Sequence, residues 1–449
     1  MLLLPNGESA GMMDPIILLM LWAEHLDVSL RAGMGKPTYP INPHVVASAA
    51  HYWEDLAARS QRIAPLLTSE QTAETEQRII DAHLAIDYGA PEGDQSARAI
   101  MAQAFSRWYQ CDINAEDVLF TTGGLGGLFC VFEYLRRKYL HSRILTPFPH
   151  YPYYAIGNHL FPIPVMENPG YRLTASLLKD SIEQALHAQK FDHEAIHAVV
   201  LCYPNNPLGT VLRKKEWEDI ATVLELLPEA VIILDEAYAE LDYTSDGTSL
   251  FAVAPQLRDR IVLMRSGTKG LSAAGERLAV LVCQNKTIMA RLLEINSTIS
   301  LHPPRHLQRA FAVAMHAWSA EDKQKLSAFY QVQVVYAQQR LRAMHAHLPD
   351  PNYQIEGSFY VMANLKALLG TPMSHLAKCV FTDPPQVINT DEDLVYSLLF
   401  DDKIMLAPGS YFGLDPSLGY VRITCSMGER DLGRIFDVIE GRLRNNESP

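Results

Sequence analysis

Four short segments combine residue types able to do chemistry, and each follows an apolar run. Val231–Asp235 ends in an acid, and an aromatic hydroxyl, Tyr238, follows three residues later. In open α/β sheets ligands bind beyond the carboxyl ends of strands, so Asp235 stands where a site is expected. Read alone, it is more simply a helix cap. Tyr203-Pro-Asn-Asn206-Pro207-Leu-Gly209 follows the run Ala198–Cys202. Its composition makes a tight turn, and the Asn206 amide can donate to a ligand oxygen. Ser266-Gly-Thr-Lys269 follows Ile261–Arg265, and Arg277 comes eight residues later. A lone lysine is ordinarily a solvated side chain. Here small neighbours permit close approach of a bulky group, and Ser266 with Arg277 makes a phosphate-binding pair. Finally, Thr121-Thr-Gly123-Gly124-Leu125-Gly-Gly joins a strand to a helix. Free amides at such a helix N-terminus receive phosphate, although the spacing is not the dinucleotide fingerprint.

The elements that must position these segments can be read from periodicity. Strands are predicted over 118–121, 143–146, 198–203, 230–235, 261–265 and 278–283, with helical patterns such as 214–227 between most of them. Continuous apolar strands alternating with helices predict an α/β fold: a mainly parallel sheet flanked by helices. Beyond about Pro303 the texture changes to a long helical stretch, 305–347, then short strands near 357–362, 403–406 and 420–424, then a final amphipathic helix, 429–443. The expected organisation is a large domain over 44–304 and a smaller α+β domain built from 1–43 and 305–449.

With 449 residues, 48% hydrophobic and 20% charged, the chain has the composition of a soluble globular protein of more than one domain. A formal net charge of −13 argues against a nucleic-acid partner. Six cysteines without a C-x-x-C pair predict free thiols, a reducing cytoplasm and no metal site. The apolar segment 15–23 is short and flanked by Asp14 and Glu24, so it reads as a packing helix rather than a signal or a membrane span.

Taken together and in order, these motifs resemble the class I/II aminotransferase family of fold-type I pyridoxal-phosphate enzymes. A Pro408–Gly413 turn and a late Val421-Arg422-Ile423 strand extend the likeness over nearly the whole chain. The resemblance implies pyridoxal 5′-phosphate held as a Schiff base on Lys269, an amine that must be unprotonated to react. It implies that Asp235 pairs with the pyridinium nitrogen and that Tyr238 and Asn206 bond the ring oxygen. Gly124, Leu125, Ser266 and Arg277 would take the phosphate, with Tyr88 reaching it from a partner subunit, and Tyr151 would stack on the ring. Arg422 would grip the substrate α-carboxylate, with the backbone of Gly35 beside it. A homodimer is implied, with an amino acid and a 2-oxo acid as substrates.

The chain departs from the family pattern at Ala279 and Leu208, and neither change removes a reacting group. Where aspartate-type relatives carry a second arginine, this chain has Ser297 or Thr298, which disfavours a dicarboxylic substrate; Arg305 lies close enough to reverse that reading. Two alternatives to transamination are open on the sequence. One keeps the cofactor but makes the enzyme a decarboxylase, a lyase or cyclase, or an oxygen-using oxidase. The other is a non-catalytic cofactor-binding regulator, disfavoured because the N-terminal forty residues are not basic.

Overall fold

Short runs of aliphatic and β-branched residues form strands wherever helices can cover both faces. In the computed structural model, which describes residues 2–11, 13–82, 86–139, 142–189 and 196–447, the strands are β1 (Leu30–Arg31), β2 (Val118–Thr122), β3 (Arg143–Pro147), β4 (His159–Ile163), β5 (Ala198–Cys202), β6 (Val231–Asp235), β7 (Ile261–Ser266), β8 (Leu278–Val282), β9 (Tyr360–Asn364), β10 (Ile404–Met405), β11 (Ala407–Pro408) and β12 (Tyr420–Thr424). Every residue of β5, β6, β7 and β8 is buried. The main sheet has the order β2-β8-β7-β6-β5-β3-β4. β3 pairs in parallel with β4 and β5, and β5 with β6, whereas β2 and β8 are antiparallel.

The chain divides into two compact units. The first comprises Met1–Tyr39, Leu135–Leu263 and Ala320–Pro449. It holds the parallel run β6-β5-β3-β4 and a second apolar core. That core gathers Leu18, Leu19 and Trp22 of the helix Pro15–His25 together with Leu398 of the helix Asp391–Asp401 and Ile435 of the helix Glu429–Glu447 in one cluster. The antiparallel sheet β11-β12-β9 belongs to the same unit. So does β1, which pairs in parallel with β10 and thereby ties the N-terminal segment to the C-terminal part.

The second unit comprises Pro40–Tyr134 and Met264–Ser319. Its helix Arg305–Ala317 packs on the helices Pro43–Leu67 and Gln95–Tyr109. The buried guanidinium of Arg265 lies 4.3 Å from the Trp108 ring centre and donates to the Tyr109 hydroxyl at 2.5 Å. This fastens the end of β7 to the helix Gln95–Tyr109.

Two expectations need adjusting. The long helix over 305–347 is two helices, Arg305–Ala317 and Ala320–Ala343. Trp318 takes an extended ψ, and Ser319-Ala-Glu-Asp322 is a helix-start sequence. Strand β4 lies outside the expected set. It exposes His159 and Pro162 and is the last strand of the sheet, where a residue without an N–H is tolerated.

Candidate active site

Within the first unit, β6 delivers Asp235 to its carboxyl end, where the side chain is only 4% exposed. A buried carboxylate needs donors. The Tyr154 hydroxyl donates to its Oδ2 at 2.6 Å and the Ala237 amide to its Oδ1 at 3.1 Å. Burial first, and then the neighbouring Asp235 charge, push the Tyr154 phenol well above its ordinary pKa, so it remains a donor. Tyr151 precedes the short turn Pro152–Ala155, with its ring edge-on to Tyr154 at 5.6 Å. Its phenol is also pushed up, by burial and then by the charges of Asp14 and Asp235, while Arg422 opposes the shift.

Asn206 sits in a turn held by its neighbours. The Asn205 side chain accepts from the Leu208 amide at 3.0 Å, and Gly209 takes φ +69° where a Cβ would lie 2.6 Å from Ile355. The peptide bonds before Pro204 and Pro207 are cis. From β12, Arg422 donates to Asn206 Oδ1 at 2.9 Å and to the Gly33 carbonyl at 2.7 Å. Its guanidinium carbon lies 4.2 Å from the Tyr360 ring centre and 4.6 Å from that of Phe412. Arg422 is 2% exposed, and its buried Nε has no hydrogen-bond partner. A desolvated guanidinium with an unused donor is a site for a carboxylate. The Tyr238 hydroxyl is 2.8 Å from that of Tyr360. At Gly35 any Cβ would strike that same Tyr360 hydroxyl.

The first unit therefore groups Asp235, Tyr151, Asn206, Tyr238, Arg422 and Gly35. Sequence reasoning missed Tyr154 and Tyr360. In the run Tyr151-Pro-Tyr-Tyr154 only Tyr151 was given a role, and Tyr360 lay within the short strand expected near 357–362 with no role of its own.

The second unit carries the other group. The helix Gly123–Lys138 starts directly at the end of β2. Gly123 takes φ +70°, and a Cβ there would lie 2.7 Å from Arg277 Nη2. A Cβ on Gly124 would come within 3.9 Å of the Ser266 Cβ. Glycines thus bring a helix N-terminus against Ser266 and Arg277, the chemistry of a phosphate cradle. Ser266 caps the one-turn helix Gly267–Gly270: its hydroxyl accepts from the Thr268 amide at 3.1 Å and lies 2.8 Å from the Thr268 hydroxyl. Lys269, half-buried, lies in that turn. Leu125 is 39% exposed and Tyr88 is 84% exposed.

The residues of each unit fit a part of pyridoxal phosphate chemistry: in the second unit the glycine, serine and arginine group suits a phosphate, and in the first the buried Asp235 suits a ring nitrogen and Arg422 a carboxylate. No helix is long and apolar enough to cross a membrane, and no cluster suited to a metal ion occurs, among the described residues.

The chain matches the aminotransferase class I and II family over residues 61–439. It is 24% identical over 363 residues to a probable aspartate/prephenate aminotransferase of Rickettsia bellii, covering 77% of this chain and 81% of that one. It is 23% identical over 409 residues to an aspartate aminotransferase of Pyrococcus abyssi, covering 88% and 95%. Among solved structures, the aspartate aminotransferase of Rhizobium meliloti superposes with a TM-score of 0.73 at 18% identity over 97% of both chains, a likeness of fold.

Proposed function

The chain belongs to the class I and II aminotransferases, which are pyridoxal-phosphate enzymes, and from this premise we propose how its own residues divide the work of amino transfer between an amino acid and a 2-oxo acid. The bound cofactor supplies an electron sink for the pair released at the substrate α-carbon. Lys269 would hold the cofactor covalently and, once the substrate amine has displaced it, its freed Nζ would move the proton at that carbon. Asp235, held by Tyr154 and Ala237, keeps a proton on the ring nitrogen. Tyr238 and Asn206 bond the ring oxygen, and Tyr151 stacks on the ring. Gly124 and Leu125 amides, Ser266 and Arg277 hold the phosphate, with Tyr88 supplied by the partner of a homodimer. Arg422, with the Gly35 backbone, orients the substrate by its α-carboxylate.

One observation carries this assignment: residues far apart in sequence come together in buried polar contacts, in which Arg422 reaches Asn206 and stacks on Tyr360, Tyr360 reaches Tyr238, and Tyr154, bonded to Asp235, packs edge-on against Tyr151. The proposed domains are a cofactor-binding domain over 44–304 and a smaller one from 1–43 and 305–449. The core shared by 18–32 and 334–443 supports the smaller one. Six free cysteines support a cytoplasmic location.

The substrate side chain is proposed not to be acidic. The Ser297 and Thr298 hydroxyls both turn back to the Glu294 carbonyl, and Arg305 is paired with Asp94 at 3.2 Å. Aspartate is therefore expected to react more slowly than amino acids with uncharged side chains, and the reverse order would remove this part of the reading.

The test of the whole is a single-turnover experiment on the holoenzyme. An amino acid alone should bleach the visible band once, and a 2-oxo acid should be required to restore it. Oxygen uptake or carbon dioxide release without an added 2-oxo acid would instead favour oxidase or decarboxylase chemistry. Borohydride should fix the cofactor mass to the peptide containing Lys269, and Lys269→Ala should abolish both that adduct and turnover.

A further inference from the structure

We propose that Tyr360 is a positioning residue that sets the direction of the Tyr238 hydroxyl proton while holding the Arg422 guanidinium in its plane. The proposal rests on the reading that Tyr238 donates to the ring oxygen of the cofactor.

A phenol has one proton and two lone pairs. In the 2.8 Å contact between Tyr238 and Tyr360, either hydroxyl can be the donor. Once Tyr238 gives its single proton to a ligand oxygen, its own oxygen can only accept. Tyr360 must then be the donor, and the chain runs from Tyr360 to Tyr238 to the ligand. Without Tyr360, the Tyr238 oxygen loses the donor that occupies its lone pair and turns its proton toward the ligand. Hydrogen bonds in such a chain strengthen one another in a site of low polarity.

Tyr360 is suited to donate. It is 1% exposed, and its ring lies under the Arg422 guanidinium at 4.2 Å. A cation over a phenol ring makes its O–H a better donor. The charged and titratable groups around it are Arg422, Tyr238, Cys202 and Asp235; burial raises its pKa and Arg422 opposes that rise.

Tyr360 is also held rigidly. In the antiparallel register, Tyr360 faces Thr424 and Met362 faces Arg422, so these four side chains share one face of the β9–β12 pair. Phe359 and Tyr238 pack edgewise on the ring at 5.0 and 5.5 Å. The Gly35 backbone closes the remaining side, leaving no room for a Cβ beside the hydroxyl. One side chain thus ties the substrate-gripping arginine to the hydroxyl proposed to bond the cofactor.

The test compares holoenzyme carrying Tyr238→Phe, Tyr360→Phe, Tyr360→Leu and the double Phe variant. Two quantities are read: the pH midpoint of the visible absorbance change, and the amino acid KM and kcat of the half-reaction. Removing a donor from an anionic ring oxygen raises the proton affinity of the conjugated system, so Tyr238→Phe should move the midpoint up. Tyr360→Phe should move it in the same direction and less, and the double variant should add nothing to Tyr238→Phe. An unmoved midpoint in Tyr360→Phe beside a moved one in Tyr238→Phe overturns the proposal. An unmoved midpoint in Tyr238→Phe overturns the reading beneath it. For the stacking role, Tyr360→Phe should leave the amino acid KM within about twofold, whereas Tyr360→Leu should raise it about tenfold, as loss of a desolvated cation–π contact does. Equal KM values for the two variants would remove that half of the proposal.

Discussion

Arg422 holds two donors on protein oxygens and keeps Nε unpaired behind Tyr360 and Phe412. Lysine can reproduce neither the fork nor the stacking plane. Arg422→Lys is therefore expected to raise the amino acid KM about 10–100-fold, the range for losing a charge-assisted bidentate contact, with a smaller change in kcat. Steady-state kinetics decide it, and a KM equal to wild type would remove Arg422 from substrate binding. The residues at strand ends were legible in the sequence because their chemistry is local: an acid after an apolar strand, an asparagine–proline turn, a lysine among small residues. Tyr154 and Tyr360 were not. Which of three tyrosines in 151–154 meets Asp235 depends on the short turn that follows Tyr151, and whether Phe359 or Tyr360 faces Arg422 depends on the pleat of β9. Neither is encoded in residue type.

Among the elements, the turn bearing Asn206 depends on one acid. Glu356 takes Arg213 through two bonds at 2.8 and 2.9 Å and Arg172 at 2.8 Å, while Arg172 also grips Glu216. The backbone amides of Glu356 and Gly357 donate to the Gly209 carbonyl at 2.8 and 2.9 Å, closing the turn from the other side. Burial pushes the Glu356 carboxyl up, but its bonds to Arg213 and Arg172 outweigh that and hold it below its ordinary value. A carboxylate whose pKa is depressed on folding gives stability above its unfolded pKa and loses it as pH falls through the folded one. Glu356→Gln should thus cost about 2–3 kcal/mol near neutrality by leaving two guanidinium groups short of charge. The gap from wild type should close below about pH 4. Urea unfolding at both pH values tests it; a gap independent of pH would mean that the charge of Glu356 does not matter. Such a network joins residues 172, 213, 216 and 356, which no local pattern connects. The interior strands were readable because burial on both faces makes them continuous apolar runs. Strand β4 was hidden because an edge strand may expose side chains and accept Pro162.

For the whole molecule, more than half of the exposed large apolar side chains among the described residues fall in the smaller, second unit, including Val46, Trp53, Leu67, Ile80, Ile86 and Tyr88. Scattered singly such residues need no explanation, but their concentration in one unit calls for a covering surface. A second copy, as proposed above, would supply one by a two-fold, self-complementary interface. Tyr88 is the most exposed of them at 84%, yet its neighbour Gly89 is anchored by a bond from its amide to His302 at 2.7 Å. An extended side chain on a fixed backbone suits donation to a partner's phosphate. If each site borrows Tyr88, two inactive chains should repair one another. Tyr88→Ala and Lys269→Ala proteins, each impaired as homodimers, form a mixed dimer in which the Tyr88→Ala chain keeps its own Lys269 and receives Tyr88 from its partner. Subunit exchange should then restore activity in proportion to the mixed species, measured by size-exclusion chromatography with light scattering alongside turnover. Mixed dimers with no recovered activity would place Tyr88 outside the partner's site, and a monomer at micromolar concentration would remove the shared site altogether.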